Sequence, residues 1–133
     1  MDNSPANFAV VFMAILSILS SPVVAKNKVV VRNKVHSVVK VHCQSADNDL
    51  GVHYLGYGEA VSWSFNINIW DTTLFFCDIV WGRLAKAHID VFTAENRFNC
   101  RNVECNWLIL PKGFYLYDFE SHKYHFKYVW HRE

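Results

Sequence analysis

The chain has 133 residues, 52% of them hydrophobic and 16% aromatic, with 13 Lys and Arg against 12 Asp and Glu for a formal net charge of +1. That length holds at most one ordinary domain. The near-neutral balance argues against nucleic acid as the main partner, since phosphate binding calls for a marked basic excess.

Residues 8–25, FAVVFMAILSILSSPVVA, carry no charge and end at Lys26. Val23 and Ala25 are small enough for the −3 and −1 positions of a signal-peptidase site, which predicts a cleaved secretory signal over 1–25 and a single domain over 26–133. The run approaches membrane-spanning length. MDNSPAN before it lacks Lys and Arg whereas Lys26, Lys28, Arg32 and Lys34 follow, so a retained anchor is the competing reading. The Ser21-Pro22 break and the V-x-A ending favour cleavage and a secreted, extracellular product with no stable membrane insertion.

Beyond Lys26 the patterning is that of strands. NKVVVRNKV (27–35) and VVKVHCQ (38–44) read as the first two, with Val39, Val41 and Cys43 on one face and Lys40 and His42 on the other. DNDLG (47–51) reads as a turn capped by Asp and Asn side chains. VSWSFNINI (61–69) alternates apolar and polar residues throughout, which no helical period fits. TLFFCDIVW (73–81) is apolar on both faces apart from Asp78, as in a central strand. AHIDVFTA (87–94) alternates again, and CNWLIL (105–110) stops at the turn signal Pro111-Lys112-Gly113. GFYLYDF (113–119) and YHFKYVW (124–130) read as a closing hairpin, with Tyr124, Phe126, Tyr128 and Trp130 forming an aromatic core face. Seven to eight short strands predict an all-β, antiparallel, immunoglobulin-like sandwich.

All four cysteines, Cys43, Cys77, Cys100 and Cys105, follow the signal. In an oxidising compartment an even number in so small a domain implies two disulfides, each contributing about 3 to 4 kcal/mol in the chain-entropy account. Three pairings are open. The nested one, Cys43 with Cys105 and Cys77 with Cys100, is preferred because the gap RNVE makes a Cys100–Cys105 bridge cramped.

Candidate chemistry is sparse. His42, Cys43, Cys100 and Cys105 lack the ligand spacing of a zinc site, and DNDLG has neither Gly at the sixth position nor Glu at the twelfth of a calcium loop. No metal or cofactor is therefore expected. Seven histidines (36, 42, 53, 88, 122, 125 and 131) invite an acid–base reading. His88 and Asp90 share a strand face and form the best hydrolase or nuclease candidate, but no hydrolase, nuclease or metalloprotease motif accompanies them. The stretch HKYHFKYVWHR interleaves bases with aromatics, so a glycan- or membrane-binding surface is the other alternative. Recognition is expected in loops, at Glu95, Asn96 and Arg97 and in the hairpin residues Asp118, Glu120, Ser121, His122 and Lys123.

One joint pattern is specific: V-x-V-H-C-Q-S (39–45), D-N-D-L-G (47–51), V-S-W-S-F (61–65), T-L-F-F-C (73–77), D-V-F (90–92), E-C-N-W (104–107) and Trp130, in that order. It resembles the plant self-incompatibility protein homologue family, the S-protein homologues of stigmas and other tissues, over essentially all of 27–133. The resemblance implies a small secreted β-sandwich with disulfides and without known catalysis. It implies an extracellular signalling ligand whose partner is a plasma-membrane receptor protein. Two features depart from the family's habit: the signal's uncharged first residues and the lack of any Asn-x-Ser/Thr acceptor in 26–133.

Overall fold

The computed structural model describes residues 27–66, 73–94 and 104–132. The predicted signal over 1–25, the end of the strand expected at 61–69, Cys100, and the loop candidates Glu95, Asn96 and Arg97 lie outside the described residues.

Ten strands are described: β1 Asn27–Asn33, β2 Val39–Gln44, β3 Asp49–Leu55, β4 Ala60–Phe65, β5 Leu74–Trp81, β6 Ala85–Thr93, β7 Glu104–Leu110, β8 Gly113–Asp118, β9 Lys123–Tyr128 and β10 His131–Arg132. They form two five-stranded sheets ordered β4-β1-β7-β8-β9 and β10-β6-β5-β2-β3. Every pairing is antiparallel except that of β1 with β7. The fold is the all-β sandwich that the alternation implies, with β5 central in its sheet as expected, although only one of its apolar faces is buried, Leu74 and Val80 being 39% and 36% exposed.

Two strands escape the sequence reading. β3 begins at Asp49, inside the stretch read as a turn. Its burial does not alternate, Leu55 alone being buried, and a register shift beside Gln44 breaks its pairing with β2. β10 is two residues long, too short to carry a period.

The core lies between the sheets. Val29 and Val31 of β1, Ile109 of β7 and Phe114 of β8 face Val39 and Val41 of β2, Cys77 and Ile79 of β5, and Ile89 and Val91 of β6, all buried. Side chains of this size contribute about 1.5 to 3 kcal/mol each when withdrawn from water. Indole and phenol groups cross-brace the layers. Trp107 Nε1 donates to the Val91 carbonyl at 3.0 Å, Trp130 Nε1 to the Leu110 carbonyl at 2.8 Å, and the Tyr128 hydroxyl to the Asp90 carbonyl at 3.3 Å. Of the buried polar residues described, Asn27 and Asn33, Asn33 is fully enclosed and it is satisfied. Its amide nitrogen donates to the carbonyls of Ser37 and Leu55, and its Oδ1 accepts the Val35 N–H, as a buried amide requires.

The disulfide differs from the nested expectation. Cys43 is bonded to Cys77, so neither Cys43–Cys105 nor Cys77–Cys100 forms. The reason is topological. β2 and β5 are neighbours, Cys43 sits directly opposite Cys77 in their register, and both side chains point inward. Cys105 lies in the other sheet, beside Val29, and is itself disulfide-bonded.

The aromatic core face expected in the last hairpin is also corrected. Tyr124 and Phe126 are 43% and 49% exposed, whereas Trp130 is buried and Tyr128 half-buried. Phe114 pairs with Tyr128 but the next residue, Tyr115, pairs with Phe126. Lys127 is therefore an extra residue, a bulge that turns the chain over by one position. Before it the even-numbered side chains point outward with Tyr115 and Tyr117; after it Tyr128 turns in. Gly113 makes room for this exit. Its φ is +152°, and a Cβ there would lie 2.2 Å from the Tyr128 carbonyl oxygen.

Candidate recognition surfaces

Of the loop residues expected to recognise a partner, Asp118, Glu120, Ser121, His122 and Lys123 come together at the turn between β8 and β9. The turn is tied internally. Asp118 Oδ1 accepts the Glu120 N–H at 3.0 Å, and Ser121 Oγ donates to Asp118 Oδ2 at 3.0 Å. His125 Nε2 lies 2.9 Å from Ser121 Oγ and 3.5 Å from Asp118 Oδ2. His122 takes up a φ of 56°, a left-handed conformation uncommon outside glycine. The Glu120 N–H above all, with Ser121 and His125 behind it, holds the Asp118 carboxyl below the usual carboxylate range.

Aspartate, serine and histidine within hydrogen-bond reach resemble a nucleophilic triad, but the polarity is wrong for one. The hydroxyl has a single proton, and it is directed at Asp118. His125 must then meet Ser121 as a donor through Nε2–H, whereas a catalytic imidazole accepts the serine's proton and is itself steadied by the aspartate at its other nitrogen. The cluster is a clamp on the turn.

The pair expected at His88 and Asp90 is replaced by another. His88 Nδ1 lies 2.7 Å from Asp78 Oδ1, across the β5–β6 pairing, with its ring 4.9 Å from Phe76. His42 stands opposite Asp78 on the other side and bonds Asp49 Oδ1 through Nε2 at 2.7 Å. Asp49 also accepts the Gly51 N–H at 2.9 Å, and that bond, followed by His42, lowers its pKa. These groups form a row across the outer face of the second sheet. Beside it is a shallow groove of about 290 Å³ lined by Asp78, Val80, Lys86, His88 and His131 among others. His88 and Asp78 are largely open to water, where carboxylate–imidazole pairs gain little and a developing charge meets no preorganised, water-excluded donors. Among the described residues no group of three or more His, Cys, Asp or Glu converges for a metal.

DNDLG works as a turn into β3, with Asp49 Oδ1 capping the Gly51 N–H as expected of an Asp side chain and Ser45, outside the stretch, adding a second cap. The Ser45 N–H donates to the Asn48 carbonyl, and Ser45 Oγ accepts the Asn48 N–H.

Sequence reasoning missed one exposed cluster. The β1–β2 connection and the β3–β4 turn meet at one tip, where the rings of His36 and Tyr57 stack at 4.0 Å and the Lys34 ammonium lies 5.0 Å from the Tyr57 ring centre. Arg32 Nη1 donates to the Gly58 carbonyl at 2.7 Å, and the Gly58 N–H donates to the Asn33 carbonyl. The residues lie some twenty positions apart, and no local motif announces their meeting.

With this geometry in hand, known proteins offer three comparisons. Residues 28–130 match the family model described as plant self-incompatibility protein S1. S-protein homolog 21 of Arabidopsis thaliana is 37% identical over 99 residues, covering 73% of each chain. S-protein homolog 24 of the same plant is 33% identical over 104 residues, covering 77% of this chain and 68% of the relative. A solved self-incompatibility protein homologue has the same fold, with a TM-score of 0.65 at 14% identity over 85% of this chain and all of the other. It is described as one of a widespread family of small, highly stable, secreted proteins from plants. The chain belongs to the plant self-incompatibility protein S1 family of secreted S-protein homologues.

Proposed function

We propose that the protein is an extracellular signalling ligand recognised by a plasma-membrane receptor protein, and that it performs no catalysis of its own. Family membership supports the class. The observation that carries the reading is the clamped β8–β9 turn, where Asp118, Ser121 and His125 hold an exposed loop in one conformation. A loop ordered before contact loses less conformational entropy on binding. The open, solvated setting of His88 and Asp78 supports the non-enzymatic half.

The test is equilibrium binding of labelled secreted protein to plant cell membranes from reproductive and vegetative tissue. Saturable, protease-sensitive binding displaced by unlabelled protein is the expected result. Its absence from every tissue sinks the reading, and turnover of RNA or glycans that disappears in His88→Ala replaces it with a hydrolase.

One observation favours a second reading. Tyr115 with Phe126 and Tyr117 with Tyr124 form two cross-strand aromatic pairs, their ring centres 5.4 and 5.0 Å apart, on an exposed face that could stack sugars or meet a bilayer. Glycan-array binding or vesicle leakage, lost in Tyr124→Ser, would establish that defence-type role instead.

A further inference from the structure

β9 is the outermost strand of its sheet, so one side of its backbone has no strand partner among the described residues. The other three edges offer less to an added strand. β4 packs Trp63 and Phe65 against the core and exposes Ala60, Ser62 and Ser64, so it presents no charge to select a partner. β3 is interrupted by its register shift and by the positive φ of Gly51. β10 has two residues. β9 has six, with Lys123 to Lys127 exposed on both faces, because the opposing sheet ends in the short β10 and does not reach over it.

The two faces of β9 differ in chemistry. Tyr124 and Phe126 continue the aromatic ladder from Tyr117 and Tyr115, and Lys123, His125 and Lys127 alternate with them. His125 is held by Ser121, and Asp118, opposite Lys123 in register, is held by its own turn. Neither Lys123 nor Lys127 forms an ion pair with a described residue. Edge lysines normally discourage strand pairing. Here they discourage one kind: antiparallel pairing with a second copy that keeps both aromatic faces on the same side sets Lys123 opposite Lys127. An incoming strand with carboxylates at alternate positions removes that repulsion and gains opposite-charge cross-strand pairs.

We propose that the β9 edge accepts an extended acidic segment of a partner protein as an added strand. Backbone hydrogen bonds supply the affinity, Lys123 and Lys127 select Asp or Glu at alternate positions, and the Tyr124–Phe126 side covers apolar residues between them. This deepens the receptor reading by naming a surface and the chemistry it selects. It is tested on peptides, so it stands or falls separately from binding to cells.

The probes are three short fluorescein-labelled peptides: alternating Glu and Val, the same with Lys for Glu, and the Glu peptide interrupted by a central Pro. Anisotropy should show the Glu peptide binding at least about tenfold more tightly than either control, weakening with added salt. Amide shift changes should centre on residues 123–127. Lys123→Glu with Lys127→Glu, both at exposed positions, should reverse the preference toward the Lys peptide, a gain that misfolding cannot mimic. Absence of binding overturns the proposal, and so does equal binding of the Pro-interrupted peptide, which would be charge attraction without a strand. Binding that ignores the double Lys reversal but vanishes in Tyr124→Ser with Phe126→Ser overturns it in favour of an aromatic platform.

Discussion

β4 and β9 are the two edges of one sheet, and both alternate aromatic with polar residues. In β4 the aromatics turn inward. Phe65 packs 4.5 Å from Phe75 and 4.8 Å from Phe92 between ring centres, and Trp63 lies 5.5 Å from Phe75. In β9 they turn outward, Phe126 meeting Tyr115 and Tyr124 meeting Tyr117 on the solvent face. A two-residue period states that a strand has two unlike faces; the layer opposite decides which of them is core. β4 lies within reach of β5 and β6, whereas the two-residue β10 leaves β9 uncovered.

Four experiments probe that contrast. The largest effect is expected beneath β4, where Phe75 and Cys77 form part of the same inward face. Cys43→Ala with Cys77→Ala opens a loop of 34 residues, a loss of about 4 kcal/mol in the chain-entropy account. Melting should fall by roughly 15 °C or more. An unchanged melting curve would mean that the bridge does not stabilise this floor.

Gly113→Val comes next, because any side chain there meets the Tyr128 carbonyl oxygen. A cost of about 2 to 4 kcal/mol should be accompanied by loss of the Trp130 indole N–H signal from its bonded position. Retention of that signal would show that the bulge can move aside.

The direct comparison is Phe65→Ala against Phe126→Ala. The first should cost about 2 to 3 kcal/mol and the second no more than about 0.5 in urea unfolding. Equal costs would erase the distinction between the edges.

The smallest effect is local. Asp118 titrates below the ordinary carboxylate value, so its contribution to the β8–β9 turn is complete above that ordinary value and lost as pH falls through the depressed one. Protection of the Glu120 and Ser121 amides against exchange, relative to their intrinsic rates at each pH, should fall in acid, and Asp118→Asn should remove that dependence.

Much of the sandwich was legible because alternation survives along β2, β4 and β6, where one face is dry, and because the short apolar runs of β1, β5 and β7 end at turn or polar residues. What was illegible has three physical sources. The bulge at Lys127 reverses the faces midway through the last hairpin, so counting by twos from Trp130 assigns Tyr124 and Phe126 to the wrong side. β3 was hidden because Gly51, Val52 and His53 interrupt its period on an edge where burial exerts little selection. The Cys43–Cys77 bridge depends on β2 lying beside β5 with β3 and β4 placed elsewhere, and a spacing along the chain carries no information about lateral order. The β8–β9 turn was visible as a polar stretch between periodic segments. The tip formed by Lys34, His36 and Tyr57 was not, since only the folded chain brings those positions together.

The place of β1 bears on the order of events during synthesis. The first of the described strands ends up between β4 and β7, with Lys28 parallel to Glu104. Until β7 has left the ribosome β1 has β4 along one side and nothing along the other, so this sheet cannot close on a nascent chain. Pairing of β1 with β7 is deferred until then, and pairing so distant in sequence is slow. A sheet that stays open for that interval leaves its strands free to be threaded, as those of a secreted chain must be.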